Sequence, residues 1–229
     1  MKNQIRQVTG LLVAITLTAC GSSNDSSNNT PGTPSAAVPQ TTVGQISGFG
    51  SIYVNGVEYE TSGATLDVDD AAAAGDDALA VGMVVKVDGS VNADGRTGQA
   101  DAVYYDDDIE GPVRNLAADM NDLNIKTFTV MGVTVSVSSN GTNFEGEDDP
   151  SFSFDTIMDG DNVEVSGEFD GDVLIATYVE KQDALDDEFE AKGTVDMYDG
   201  GDQFVLVLRN DAMLNVTIAA GAEIPSAGV

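Results

Sequence analysis

GMVVKVDG (residues 82–89) and GDNVEVSG (residues 160–167) spell one pattern, G-x-x-V-x-V-x-G. Valines two apart share a face in an extended chain, so each cassette predicts a strand with one buried side. An Asp-Gly pair follows each copy, Asp94-Gly95 and Asp170-Gly171. Such a pair between alternating residues signals a hairpin turn. Five residues past each turn glycine comes an alanine, Ala100 and Ala176, and three further on a valine, Val103 and Val179. Matched spacings in stretches otherwise so different imply a tandem repeat.

Repeat 1 extends outward over residues 43–108. Residues 44–46 (GQI) open a strand and residues 48–50 (GFG) turn it. Residues 51–54 (SIYV) and 57–59 (VEY) flank Asn55-Gly56, a hairpin turn whose two positions both require positive φ. A two-residue turn sets Val54 opposite Val57 and Ile52 opposite Tyr59, all four on a core face. Residues 69–81, rich in alanine and aspartate, predict a short helix or helical turn. The cassette and the strand 100–105 complete the unit.

Repeat 2, residues 109–182, follows the same plan. Gly111-Pro112-Val113 stands where Gly44-Gln45-Ile46 stood, Met131-Gly132 takes the place of Asn55-Gly56, and the acidic linker 138–158 is longer. A partial third repeat occupies residues 188–229. Gly193-Thr194-Val195 opens it and two alternating segments follow, 204–208 and 214–218, without a third cassette. Unpaired strand edges invite aggregation. The half-unit therefore calls for a longer gene product, or for docking on repeat 2 or on another chain. The order strand, strand, strand, linker, strand, strand predicts an all-β chain of tandem small five-stranded barrels of the oligonucleotide/oligosaccharide-binding type, with a β-sandwich as the alternative.

The N-terminus reads as an address. Lys2 and Arg6 precede a short apolar run, residues 11–17, and LTAC (residues 17–20) matches a lipobox. This predicts a signal peptide over 1–19 and lipidation of Cys20, the sole cysteine, which anchors the chain to a membrane through acyl chains. Gly21 follows it, and resemblance to bacterial lipoproteins then implies sorting to the outer membrane. Residues 20–42, rich in Ser, Asn and Pro, predict the lipidated cysteine and a disordered tether.

Composition narrows the chemistry. Removing residues 1–19 leaves 39 acidic against 7 basic residues, a net charge of −32. Such a surface repels nucleic acid and anionic lipid. It leaves an envelope protein or a neutral glycan as the expected partner. Histidine is absent, which excludes Ser/His/Asp catalysis, and zinc sites of the usual Cys/His kinds have no ligands.

The string 48–56 (GFGSIYVNG), the cassette at Gly82, Glu110-Gly111-Pro112-Val113 and Gly193-Thr194-Val195 together resemble a bacterial family known as a domain of unknown function, serial 5666. The resemblance covers nearly everything from Val43 onward. It implies an exported protein or lipoprotein with tandem copies, and it brings no reaction and no catalytic residues.

The remaining candidates are carboxylates and tyrosines. Paired carboxylates serve glycosidases, which keeps a carboxylate-dependent hydrolase acting on glycans as an alternative. Calcium needs six to eight oxygens from a compact loop. The acidic run Asp106, Asp107, Asp108 and Glu110 is the foremost candidate for it, beside the loops 67–70, 145–149 and 159–161, and a calcium-dependent adhesion module is the second alternative. None of these has EF-hand spacing. Tyr53, Tyr104, Tyr105 and Tyr178 are candidates for a stacking face toward sugars. The leading expectation is a non-enzymatic binding or structural module of the cell envelope, with no catalytic residues and no resident cofactor.

Overall fold

A computed structural model describes residues 37–69, 71–182, 189–198, 200–208 and 211–222. The expected signal peptide, Cys20 and the expected tether as far as residue 36 lie outside the described residues. The described chain is all-β, its one helical element being a 3-10 turn at Asp76–Ala78.

Repeat 1 contributes β1 (Val38–Gln45), β2 (Ile52–Val54), β3 (Val57–Glu60), β4 (Thr65–Val68), β5 (Ala71–Ala73), β6 (Val84–Val91) and β7 (Thr97–Tyr105). Their hydrogen-bonded order is β1-β6-β7-β3-β2, with β4 on the far half of β7 and β5 on β4. A bridge between Ile46 and Val54 links the end of β1 back to β2. The Asn55-Gly56 hairpin forms as expected: both residues have positive φ (51° and 79°), Val54 faces Val57, and Ile52 faces Tyr59. Ile52, Val54 and Tyr59 are fully buried, and Val57 packs against the same cluster.

Two expectations for this region are corrected. Residues 38–42, assigned to the tether, are the first half of β1, paired from Val38 with Val91 to Thr42 with Val87. Thr42 is buried, its hydroxyl 2.7 Å from that of Tyr59, so the strand is held by its neighbours rather than by its own composition. The stretch 69–81, expected to hold a short helix or helical turn, does hold a 3-10 turn at Asp76–Ala78, but its alanines 71–73 form β5 instead. Leu66 pairs with Ala73 and Val68 with Ala71, and those cross-strand bonds outweigh the helix preference of three alanines.

Repeat 2 contributes β8 (Ile109–Pro112), β9 (Arg114–Ala118), β10 (Ile125–Val130), β11 (Val133–Ser138), β12 (Asn143–Gly146), β13 (Asn162–Asp170) and β14 (Val173–Lys181). The order is β8-β13-β14-β11-β10-β9, with β12 alongside β14. β8 and β9 are separated by Val113 alone, so the path ends on the continuation of the segment where it began. Ile46 and Val113 make the same bonds: each donates its N–H to the residue after the first cassette glycine, and each accepts from that glycine's N–H at 2.9 Å.

The cassette glycines have separate physical roles. Gly82 and Gly160 open the strand at φ of 107° and 97°, a region costly to any residue with a Cβ. Gly89 and Gly167 lie at β-bulges, where Asp101 and Thr177 are extra residues on the facing strand. A Cβ there would lie 2.1 Å from the carbonyl oxygen of Gln99, or 2.2 Å from that of Ile175. The bulge shifts the register by one, which brings Val87 opposite Val103 and Val165 opposite Val179, all buried.

β15 (Thr194–Asp196), β16 (Gln203–Val207) and β17 (Met213–Thr217) form a third sheet. The half-unit docks on repeat 2. Leu206 and Leu208 are buried within the repeat 2 core, and Phe204, Leu214 and Val216 pack against it. Residues 190 and 191 also pair with β8, through the Glu110–Glu190 backbone bonds and the Ile109–Ala191 bridge.

Candidate functional site

The acidic groups gather where repeat 1, repeat 2 and the third unit meet, because the cross-strand register brings them there. On β13, Glu164 lies opposite Glu110 of β8 on one side and Glu180 of β14 on the other. Glu180 in turn lies opposite Glu145 of β12. Four glutamates thus stand in one row across four neighbouring strands. Like charges directly opposite one another destabilise a sheet, so protonation, solvent or a counter-charge must relieve this row.

The chemistry of the row is set by what covers it. Burial, and then the carboxylates of Asp69, Asp107, Glu180 and Glu110, push the Glu164 carboxyl up to about 9. Burial likewise raises Glu180, with Glu145 and Glu147 adding to it against the lowering bond from Tyr178. The Tyr178 hydroxyl lies 2.8 Å from Glu145 Oε2 and 2.8 Å from Glu180 Oε2. Tyr105, only 1% exposed, finds no hydrogen-bond partner for its hydroxyl among the described residues. Its ionisation is suppressed by burial first and by Glu164 next.

The run 106–110 divides rather than converges. Lys192, just ahead of β15, reaches Asp107 at 3.0 Å, Asp106 at 3.3 Å, Glu190 at 3.7 Å and Asp69 at 3.9 Å. Asp108 instead accepts the N–H of Gly167 at 3.0 Å, and Glu110 accepts from the Asn162 amide at 3.2 Å. Among the described residues no three acidic side chains come together in a form that could hold a metal ion. Burial pushes Asp107 up despite Lys192, and burial with the Asp107 charge pushes Asp69 up to about 6. For Lys192 burial acts downward, but the carboxylates of Asp107, Asp106 and Glu190 outweigh it and the ammonium is held well above its ordinary range. A cavity of about 310 Å³ opens beside this ammonium, lined by Asp106, Asp107, Asp108, Phe169 and Lys192.

The other acidic loops are used structurally. Asp94 caps its hairpin by accepting from the N–H groups of Arg96 and Thr97. Asp159 accepts from the N–H of Leu116, and Asp161 accepts from that of Met158 while pairing with Lys181 at 3.0 Å. Asp70 of the 67–70 loop lies outside the described residues. The four tyrosines do not share a stacking face. Tyr105 and Tyr178 are core residues, Tyr104 lies under the Lys86 ammonium at 4.3 Å, and Tyr53 is 36% exposed.

The same fold occurs on both sides of this junction. A family model described as a domain of unknown function (DUF5666) matches residues 42–103 and again 110–180. The chain belongs to the DUF5666 family. No curated protein and no solved structure matches it. The junction between the two DUF5666 copies is tight. Val84 donates its N–H to Ser166 Oγ at 3.0 Å, Thr177 Oγ1 donates to the Gly82 carbonyl at 2.6 Å, and Tyr178 is buried in the core of the first copy. Reading single stretches misses the glutamate row. The signal that finds it is the bulge at Gly167, which resets the register so that Glu164 meets Glu180.

Proposed function

We propose that this chain is a non-enzymatic, lipid-anchored β-domain module of the bacterial cell envelope, built to hold a binding surface at a fixed geometry. The observation that carries this reading is the sharing of cores. Tyr178 of the second copy completes the core of the first, and Leu206 and Leu208 of the third unit complete the core of the second. Units that bury residues in one another resist bending, which suits a spacer or scaffold. We read each DUF5666 copy as a closed barrel of the oligonucleotide/oligosaccharide-binding type, its five-stranded path carrying β4 and β5 alongside in the first copy and β12 in the second, with β8 and β9 as one interrupted strand. Its support is the strand order, together with the Ile46–Val54 bridge in one copy and the β8–β9 continuity in the other.

The anchor in this reading is Cys20, with outer-membrane sorting, and the partner is an envelope protein or a neutral glycan. The charge of −32 disfavours nucleic acid. The catalytic and cofactor roles are left empty. Mass spectrometry of the mature protein tests the anchor: a diacylated or triacylated N-terminus at Cys20 is expected, and Cys20→Ala should release the protein from membranes. An unmodified N-terminus at another position overturns the anchored reading. Calcium at about 5 mM should stabilise the protein no more than magnesium does, and a calcium-only rise in melting temperature would instead favour the adhesion alternative.

A further inference from the structure

The Tyr178 hydroxyl poses a counting problem. A phenol carries one hydrogen, yet two carboxylates lie 2.8 Å from this oxygen. One accepts the phenol's hydrogen. The other lies close to it without a hydrogen of its own to share, and a proton held between the two carboxylates and the phenol relieves that crowding. Of the two, Glu180 is the more buried, and it lies opposite Glu164 in the row.

We propose that the glutamate row is a proton-operated joint: protons held among Glu164, Glu180, Glu145 and Tyr178 keep the second repeat seated on the first, and their loss loosens that contact. The row lies against the contact it would control. Tyr178 reaches from it into the core of repeat 1, and Ser166 and Thr177, which bond to Val84 and Gly82, lie on the same two strands. The groups facing Glu164 are Glu110 from β8, Glu180 from β14, Tyr105 from β7, Asp69 from the turn after β4 and Asp107 from the segment after β7. Glu180 also faces Glu145 and Glu147 from β12 and the residue after it. Lys192 is committed to the aspartate side, and Lys181 to Asp149 and Asp161. Protons rather than a metal fit the row because, among the described residues, no three carboxylates come together in a form that could hold a metal ion.

The sign follows from the burial. Glu164 holds its proton up to about 9 in the joined state. A parted or unfolded glutamate releases it near the ordinary carboxylate value, about 4.3. The joint is thus fully closed below the ordinary value and weakens as pH rises through about 9.

Hydrogen exchange of the full chain, corrected for intrinsic rates, tests this at about pH 5.5 and about pH 8.5, within that window. Protection of the Val84 amide, which bonds across the joint, is expected to fall at least about tenfold between the two, the factor for one unit of displacement. Protection within the hairpin of β10 and β11 should not change. Glu164→Gln should remove most of the pH dependence of Val84 protection, and Glu180→Gln should remove a smaller part of it. A pH-independent wild type, or a Glu164→Gln chain that keeps the full dependence, overturns the proposal. A carbon-13 carboxyl titration of the wild type needs no variant: a Glu164 midpoint above about pH 7 supports the joint, and one below it ends it. Restoration of Val84 protection at high pH by calcium but not magnesium also ends it, because a cation rather than a proton would then be the occupant.

Discussion

The same row of four positions occurs in both repeats and is filled by opposite chemistry. In repeat 1 it reads Val43, Lys86, Tyr104 and Asp67, paired in that order across β1, β6, β7 and β4. The Lys86 ammonium lies over the Tyr104 ring at 4.3 Å and 3.2 Å from Asp88, which also accepts from Thr41. That row is half exposed and its charges are locally matched. In repeat 2 the equivalent positions are Glu110, Glu164, Glu180 and Glu145. The neighbouring pair changes as well: Asp88 and Ala102 of repeat 1 correspond to Ser166 and Tyr178 of repeat 2. One backbone plan thus presents a solvated outer face in the first copy and, in the second, a face that is buried at Glu110, half-buried at Glu164 and Glu180 and exposed at Glu145. A fold specified by glycines and valines leaves its other face free to become either surface or interface.

Removing the plug should separate the two copies most sharply. Tyr178→Ala is expected to cost about 4 kcal/mol, as for a buried aromatic truncated in a core. The same position in repeat 1, Ala102→Gly, should cost only about 0.5–1 kcal/mol, the strand penalty of glycine. Urea unfolding of both variants checks this, and similar losses would mean that Tyr178 does not join the repeats.

The bulge glycines should behave alike where the faces differ. Gly89→Ala and Gly167→Ala each drive a Cβ against a backbone carbonyl. Each is expected to cost about 3 kcal/mol by the same measurement. A large loss at one position with none at the other would break the equivalence of the two cassettes.

Charge at the row comes next. Stability of the wild type should decline as pH rises from about 5 toward about 9, since the folded chain binds protons there that the unfolded chain has released. Asp69, raised to about 6, and Glu164, raised to about 9, contribute in the same direction. At pH 8, Glu164→Gln should stabilise by at least about 1.4 kcal/mol, one unit of displacement. Lys86→Gln, at the matching position, should leave the slope of the pH profile unchanged. Thermal melts across pH read both.

The smallest contrast lies in the turns. Asn55-Gly56 and Met131-Gly132 adopt similar positive φ values, but methionine gains nothing local from the left-handed region that asparagine tolerates. Met131→Asn is expected to stabilise the chain by about 0.5–1 kcal/mol, measured by chemical denaturation. A loss would show that the packing of the Met131 side chain matters more than its backbone strain.

Much of the framework was written locally. The cassettes, the Asn55-Gly56 turn with its Val54–Val57 and Ile52–Tyr59 pairs, and the tandem plan follow from period-two alternation and turn chemistry, which act within a few residues. Neighbours across the sheet decided the rest. β1 begins at Val38 because Thr42 and Tyr59 bond, and Ala71–Ala73 is a strand because β4 lies beside it. The acids in 106–110 look like one cluster in the sequence and are split by the fold, because successive side chains of an extended segment point apart and meet different partners. Glu110, Glu145, Glu164 and Glu180 look unrelated in the sequence, and tertiary structure aligns them, since the β13–β14 register is set by the extra residue Thr177 and by Gly167, whose missing Cβ lets the Ile175 carbonyl approach. Sequence determines which residues favour extended chain and tight turns, because those preferences are local. Only the folded sheet decides which charges share a row and which tyrosine enters a neighbour's core, because both depend on register and burial between segments far apart in the chain.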